Sequence, residues 1–522
     1  MNVALSSTDA AQAHVDVLVF ATFDTDLLEA KGPPSALRLI DEELGGLLLR
    51  VAAEEGFKAK SEQTFVLHTH GKIAAPRVML VGLGTREKFT LETLRLSAGR
   101  AIKAAMRLKA KSLAVQLPVV RELPGALRAV AEGLQLGAYR YDRWRTKKPD
   151  DNGNGATMTR VQLLLPHGTH KSQELSRAVA LGQSVASATN WARDLVNEPA
   201  GTMTPTTLAA EAKKMAREAG LSITVGDRKR IAALKMGMFL GVAKGSEEEP
   251  RLIELSYRPK KAADAKRPPL CLVGKAITFD SGGLSLKPSD SMLDMKTDMA
   301  GSAAVLGAMK VIAELAPPFP VHAFMGACEN MPSGHAYRLG DVLVSRLGKT
   351  VEITNTDAEG RLVLGDLLAW ANEKKPVAII DLATLTGACV VALGNFIAGA
   401  FGEDDALMFD VLEAARSAGE ELWRLPLSEL QKESLKSEVA DMKNTGERWG
   451  GAITASVFLK EFVGSTPWVH LDIAGPSVSP KERGYFAKGA TGIGVRTLVE
   501  LVRRRTTQLQ GGGPLARPDP AT

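Results

Sequence analysis

The stretch "NTDAEGRLVLGD", residues 355–366, places Asp357, Glu359 and Arg361 within five positions, just ahead of a strongly apolar run. Side chains two apart on an extended chain project to the same side. Two carboxylates held that close repel, which raises one pKa unless a cation lies between them. A divalent metal meets that need, because Asp and Glu oxygens are its natural ligands. The plainer reading, two acids on a surface loop, requires no partner at all.

A second group, "GKAITFDSGGLSLKPSDSMLDMKTDMAGSAA" (274–304), supplies Lys275, Asp280, Lys287, Asp290, Asp294, Lys296 and Asp298. It follows an apolar strand pattern, and open α/β sheets bind ligands beyond the carboxyl ends of their strands. Gly282-Gly283 permits a tight turn that brings backbone close to a ligand. Asp298 precedes a helix of small residues and, read alone, serves equally well as an N-cap. The "GK" after the strand is not a phosphate loop. It lacks the G-x-x-x-x-G-K-[ST] pattern, and the acids that follow would repel phosphate.

Taken together, "NTDAEGRL" and "VGKAITFDSGGLSLKPS…MKTDMAGSAAV" resemble the leucyl aminopeptidase family of two-metal, cytosolic-type aminopeptidases. The resemblance continues through "RDLVNEPAGTMTP" (193–205), "GACENMPSGHAYRLGD" (326–341), "DLATLTGA" (381–388), "GGAITA" (450–455), "HLDIAGP" (470–476) and "KGATGIGVRTL" (488–498). It is dense over 180–505 and loose before that. It implies a metal-dependent enzyme that removes the N-terminal amino acid, preferentially leucine or another apolar residue, from peptides. By that resemblance Asp280 and Glu359 bridge two divalent ions, and Lys275 and Asp298 complete the tightly held one. Asp357 completes the exchangeable one, partly through its backbone carbonyl. Lys287 and Arg361 are catalytic, Arg361 holding a bicarbonate that acts as general base toward a metal-bridging water. Met295, Asn355, Thr384, Gly387 and Ala474 take the substrate's side chain. Ser477 stands where some relatives carry a bulky apolar residue, which departs from a strict leucine pocket. The family also implies a cytoplasmic homo-hexamer. The implied metals are zinc or manganese, with cobalt and magnesium also compatible with oxygen-rich ligation.

The charges agree with that assignment. Four carboxylates and two divalent ions balance, so the acids can crowd together. A lysine binds metal only as the neutral amine, so affinity should fall with acidity.

Two α/β domains are expected to position these residues. A smaller N-terminal one, 1–170, alternates strands "HVDVLVFA" (14–21), "RVMLVGLG" (77–84), "SLAVQLP" and "VQLLLP" with helices over 90–109 and up to about Tyr139. A polar Gly/Asn/Asp/Pro loop is expected at 147–160. "GLGTRE" (82–87) starts like a dinucleotide fingerprint, but Glu87 stands where its third glycine belongs. One helix, 171–196, connects to a larger catalytic domain, 197–505, with a mostly parallel central sheet. Its strands are "LIELSY" (252–257), "PLCLVG" (269–274), "VHAFMG" (321–326), "VAIIDLAT" (377–384) and "WVHLDIAG" (468–475), with helices over 300–315 and 360–374. Thr204-Pro205 and Gly220 bracket a further helix. Residues 506–522 read as a disordered Gly/Pro-rich tail.

A chain of 522 residues can bury a large core, and 24% charge is ordinary for a globular protein. Cys271, Cys328 and Cys389 are too scattered for a disulfide framework, which points to a reducing compartment. No signal peptide is read. The uncharged run 382–402 is long enough for a bilayer, but its glycines and polar residues favour a buried strand entering a tight loop. The net charge of +6 gathers partly in "YRYDRWRTKK" (139–148) and "RRR" (503–505). These are read as solvated faces, with nucleic-acid binding kept as a secondary alternative. A two-metal phosphohydrolase is the alternative enzyme class. His335 and His470 fall in no metal-ligand spacing, and His470 reads as structural.

Overall fold

The computed structural model describes residues 1–28, 35–146 and 158–511. The chain divides into two compact units, Met1–Asn190 with Lys481–Lys488, and Trp191–Pro480 with Gly489–Thr522.

The first unit is built on six strands: β1 (Asn2–Ser6), β2 (Val17–Phe23), β3 (Thr64–His68), β4 (Arg77–Gly84), β5 (Ser112–Gln116) and β6 (Arg160–Leu164). Their order is β1-β6-β5-β2-β4-β3, parallel except for the edge strand β3. Helices Leu91–Arg107 and Leu123–Gly137 pack their small residues together over the sheet. The sequence reading found the four inner strands and both of these helices, and missed the edges β1 and β3. "GLGTRE" is no nucleotide loop. Gly84 ends β4, and Arg86 pairs with Asp26 and covers the Phe23 ring. Lys481–Lys488 belongs to this unit too. Tyr485 is fully buried against Gly99 and donates to Glu92.

The second unit adds β7 (Ser222–Gly226), β8 (Arg251–Tyr257), β9 (Leu270–Asp280), β10 (Val321–Asn330), β11 (Val342–Val344), β12 (Thr350–Glu352), β13 (Ala378–Ala383), β14 (Ile397–Phe401), β15 (Glu421–Arg424), β16 (Met442–Lys443) and β17 (Trp468–Asp472). Eight of them form one sheet, β15-β14-β17-β13-β9-β10-β8-β7. Its centre, β17-β13-β9-β10, is parallel, while β14, β8 and β7 pair antiparallel. Both faces of that centre are covered, which is why these strands read as continuous apolar runs. Gly274 faces helix Ala300–Leu315, whereas Cys271 and Val273 pack with helix Glu359–Asn372. The remaining three strands make a small sheet, β11-β12-β16.

Thr204 caps helix Pro205–Ala219, and Gly220 closes it in the left-handed conformation, as the Thr-Pro…Gly signature predicts. Four expectations need correction. Residues 506–511 are not tail but the last turns of helix Val495–Gly511, where Thr506 donates back to Val502 and Gln508 reaches Asp410. Only the stretch from 512 on lies outside the described residues, as does most of the loop expected at 147–160. The run 382–402 does not go from strand to tight loop. It leaves β13, forms the short helix Gly387–Leu393 capped by Thr386, and enters β14. No described helix is long and apolar enough to cross a membrane. β9 runs on past its apolar part to Asp280. Residues 357–359 are not extended either. Asp357 sits in a turn, and Glu359 opens a helix.

The arginine run lies along helix Val495–Gly511, with Arg503 on Glu500, Arg504 near Asp410 and Arg505 over Phe319. The other basic stretch is exposed from Asp142 to Thr146.

Close approach of helix Ala300–Leu315 to the sheet depends on Gly301. A Cβ there would lie 2.1 Å from the Leu382 carbonyl oxygen, which is backbone and cannot swing away. Gly301→Val should therefore destabilise the second unit by about 2–3 kcal/mol, read as an earlier urea midpoint by circular dichroism. An unchanged midpoint would refute this packing.

Candidate metal centre

One strand with the turn after it, a short 3-10 turn and one helix start deliver the charged residues. β9 carries Lys275 within it and Asp280 as its last residue. The Gly282-Gly283 turn that follows has φ +86° and +63°, and a Cβ on Gly282 would meet the Ser285 oxygen at 2.4 Å and the Asp357 carboxylate at 2.9 Å. Only glycine brings the β9 exit this close to Asp357. The short 3-10 turn Met295–Met299 carries Asp298. It does not cap the following helix, whose N-cap is Met299. Helix Glu359–Asn372 starts with Glu359 and places Arg361 in its first turn. Gly360 leaves room for Lys275, since a Cβ there would lie 2.5 Å from Lys275 Cε.

Asp280, Asp357 and Glu359 each offer a carboxylate oxygen within 4.8 Å of the other two. Lys275 Nζ lies 2.8 Å from Asp298 Oδ1 and 2.9 Å from Glu359 Oε1, and donates to the Thr384 carbonyl at 3.0 Å. Lys287 Nζ lies 3.0 Å from Asp280 Oδ2 and 2.6 Å from Asp357 Oδ1. Thr384 closes the ring by donating its hydroxyl to Asp298 at 2.7 Å.

Burial raises the carboxyl pKa values of Asp298, Asp357 and Glu359, and the negative charge of Asp280 pushes each further up. For Lys275 and Lys287 burial acts downward, but the surrounding acids outweigh it and raise both. Arg361 is lowered to about 10 by burial. Its Nη1 donates to the Asn444 carbonyl at 2.9 Å, while its buried Nε has no hydrogen-bond partner among the described residues.

The donor set fits divalent cations. Buried polar atoms are nearly always satisfied, yet Asp298 Oδ2 and Glu359 Oε2 are buried without a hydrogen-bond partner among the described residues. Several carboxylates and one amine converging on one spot form the oxygen-rich set that hard or borderline cations take. The free edge of Arg361 is likewise suited to a small planar anion.

The five residues expected to supply side-chain contacts are placed less uniformly. Thr384 touches the cluster directly. Met295 opens the turn that carries Asp298. The Asn355 side chain is committed to its own turn and accepts from the Asp357 amide at 2.8 Å. Gly387 and Ala474 have no direct bond to the cluster among the described residues. Ser477 is buried and donates to the Ala474 carbonyl. His470 is fully buried, bonded to Asp381 at 2.7 Å between the Phe401 and Trp468 rings, and takes no part in the cluster.

Three supporting residues escaped the sequence reading. Asn330 ends β10 beside Asp280 and donates to Asp280 Oδ1 at 2.8 Å and to the Thr356 carbonyl at 2.9 Å. Tyr337 donates to that same carbonyl at 2.7 Å. Asn444, just past β16, donates to the Asn355 carbonyl and accepts from the Thr354 amide. The only local signal for Asn330 is a polar residue closing the apolar run "VHAFMGACEN".

Comparison with known proteins agrees with this geometry. The catalytic-domain model of the cytosol aminopeptidase family matches residues 190–499, and its N-terminal-domain model matches 17–148. A probable cytosol aminopeptidase from a Cyanothece species is 44% identical, the match covering 96% of this chain and 99% of that one. One from a Geobacter species is 44% identical over 97% and 100%. Among solved structures, a mutant of tomato leucine aminopeptidase is 38% identical with a TM-score of 0.87, covering 97% of this chain and 96% of its own. The bottromycin maturation enzyme BotP in complex with Mn is 36% identical with a TM-score of 0.81, over 94% and 100%. With both family models in place along the chain and a cluster of acids built to hold metal, the protein belongs to the cytosol aminopeptidase family, whose members are metal-dependent hydrolases of the exopeptidase class.

Proposed function

We propose that this aminopeptidase removes N-terminal leucine or another apolar residue from peptides, with Lys275, Asp280, Asp298, Asp357 and Glu359 holding two divalent ions. The observation that carries the reading is the convergence of Asp280, Asp357 and Glu359 within 4.8 Å. Zinc or manganese suits the set best, with cobalt and magnesium also compatible. Bound there, the ions would supply Lewis acidity and would lower the pKa of a water toward neutrality. Lys275 would join them only as the free amine, which would require it to give up its proton and its bonds to Asp298 and Glu359.

Lys287 has the reach and charge to stabilise the oxyanion of the attacked peptide carbonyl. Its ammonium lies between Asp280 and Asp357 at the cluster, and cations taken up by those two carboxylates would release it to face the developing charge. Arg361 would hold a bicarbonate on its free edge, and that anion would supply the general base. Met295, Asn355, Thr384, Gly387 and Ala474 would take the N-terminal side chain. Ser477 under Ala474 favours a pocket that accepts several apolar side chains over one reserved for leucine.

The family supports this chemistry over a phosphohydrolase. The arginines of 503–505 are engaged within the protein, which leaves the secondary nucleic-acid reading with weaker support. Free, buried Cys271, Cys328 and Cys389 accord with a reducing cytoplasm. A homo-hexamer is the assembly proposed, and light scattering at a monomer's mass would refute it.

Lys287→Ala should lower kcat on leucyl-anilide by about 10²–10³-fold with a much smaller change in KM. An unaltered kcat would remove Lys287 from the mechanism. Arg361→Ala should lose the rise in kcat that added bicarbonate gives the bicarbonate-depleted parent, measured under carbon-dioxide-free gas. A variant that still responds would disprove the anion site. Metal binding should also depend on pH. Asp298 and Glu359 have raised pKa values, so they keep protons at higher pH than ordinary acids, and cations must displace them. Apparent metal affinity, measured by competition with a chelating dye, should fall by about tenfold per pH unit for each proton displaced as pH drops below neutrality. An affinity independent of pH would contradict the assigned ligands.

A further inference from the structure

Asp472 is the last residue of β17 and is fully buried, register-paired with Ala383 of β13 and Gly399 of β14. A carboxylate in such a place is costly unless its oxygens are well used. Here Oδ1 accepts from the Leu385 and Ala474 amides, each at 3.2 Å, and Oδ2 accepts from the Thr386 hydroxyl at 2.7 Å. The three donors are neutral and come from two loops, one leaving β13 and one leaving β17.

The first of these loops is anchored at its other end. Thr384 bonds Asp298 through its hydroxyl and Lys275 through its carbonyl. Thr386 in turn accepts from the Cys389 amide at 3.0 Å and caps the helix that starts at Gly387. Hydrogen bonds at Thr384, the backbone from Thr384 to Thr386, and the bonds of Asp472 thus connect the charged cluster to Ala474.

We infer that Asp472 is a positioning residue for side-chain selection. By tying the loop of Thr384 and Gly387 to the loop of Ala474, it fixes the width of the pocket that takes an aliphatic N-terminal side chain. This rests on the side-chain pocket proposed above. It explains why an acid sits at a buried strand end with no place in the metal cluster. One group must accept three donors from two directions, which a hydroxyl cannot do. An asparagine can nearly replace it. Its single oxygen keeps both amides, and the Thr386 hydroxyl turns to accept from its NH2 group. Alanine leaves all three donors unpartnered and lets the loops separate.

The test uses the full-length, metal-loaded enzyme and three substrates, the alanyl, leucyl and phenylalanyl anilides, with metal per chain measured on the same samples. Asp472→Ala should keep the parent's metal content and raise KM for the leucyl substrate more than it lowers kcat. Its leucyl-to-alanyl ratio of kcat/KM should shrink by about tenfold. Asp472→Asn should keep a ratio close to the parent's. Equal losses on all three substrates, or an unchanged ratio in Asp472→Ala, would overturn the inference. So would an asparagine variant as indiscriminate as the alanine one, because charge and not loop geometry would then be at work. Should Asp472→Ala fail to fold, Thr386→Val removes one of the three ties and should narrow the same ratio about threefold; no narrowing refutes the role. A parent enzyme that hydrolyses none of the three anilides would instead count against the peptidase reading itself.

Discussion

Four carboxylates, those of Asp280, Asp298, Asp357 and Glu359, are brought to one end of a sheet, three of them buried and Asp357 half-buried. Their mutual repulsion, strengthened by poor solvation, is the constraint to which the surrounding structure answers. The ammonium groups of Lys275 and Lys287 meet half of that charge, each placed between two of the acids. The rest appears as raised carboxyl pKa values and as carboxylate oxygens left without hydrogen-bond donors. Such a site lowers its energy by taking up further positive charge.

Holding the acids in that tension requires a stiff frame, and the frame is made of close backbone approaches and neutral hydrogen bonds. Gly301 presses helix Ala300–Leu315 onto β9 and β13, and Gly360 yields its side-chain space to Lys275. The pairing of β10 with β9 shifts register between Cys328 and Glu329, so that Asn330 arrives opposite Asp280. Irregularities of this kind re-aim side chains near functional sites. Asn330 then fixes one Asp280 oxygen, leaving the other to face Lys287. Together with Tyr337 it also locks the peptide that leads into Asp357.

The parts of this arrangement legible in the sequence are those with local pattern. Apolar runs identified the central strands, and Thr204-Pro205 with Gly220 bracketed a helix. The acids of 355–361 and 274–304 announced a charged site on composition and spacing. What could not be read has no local signature. Asn330, Asn444 and Asp472 are single polar residues at strand ends, and apart from Ala474 beside Asp472 their partners lie from 26 to 90 residues away. Lys481–Lys488 returns to the first unit because Tyr485 fits against Gly99, a match visible only once both are placed. The backbone at Asp357 and Glu359 also differs from the extended one that their spacing suggests. A turn followed by a helix start brings the two carboxylates together within 4.8 Å.

The division of labour across the sheet follows from its strand order. β9 and β10 lie side by side, and their ends carry Asp280, the turn to Lys287, and the Asn330 brace. β13 and β17 form the other half of the parallel centre, and their ends carry neutral loops joined through Asp472. The clustered acids are thereby gathered over one pair of strands and two loops tied by a single carboxylate over the other, both at the carboxyl ends where α/β sheets place their ligands. Thr384 connects the halves, because it bonds Lys275 and Asp298 on one side and precedes the residues held by Asp472 on the other. A change in how the lysine and the acids share their bonds must therefore be felt at Thr384. From there it can reach the neutral loops through three hydrogen bonds, with no movement of the strands themselves.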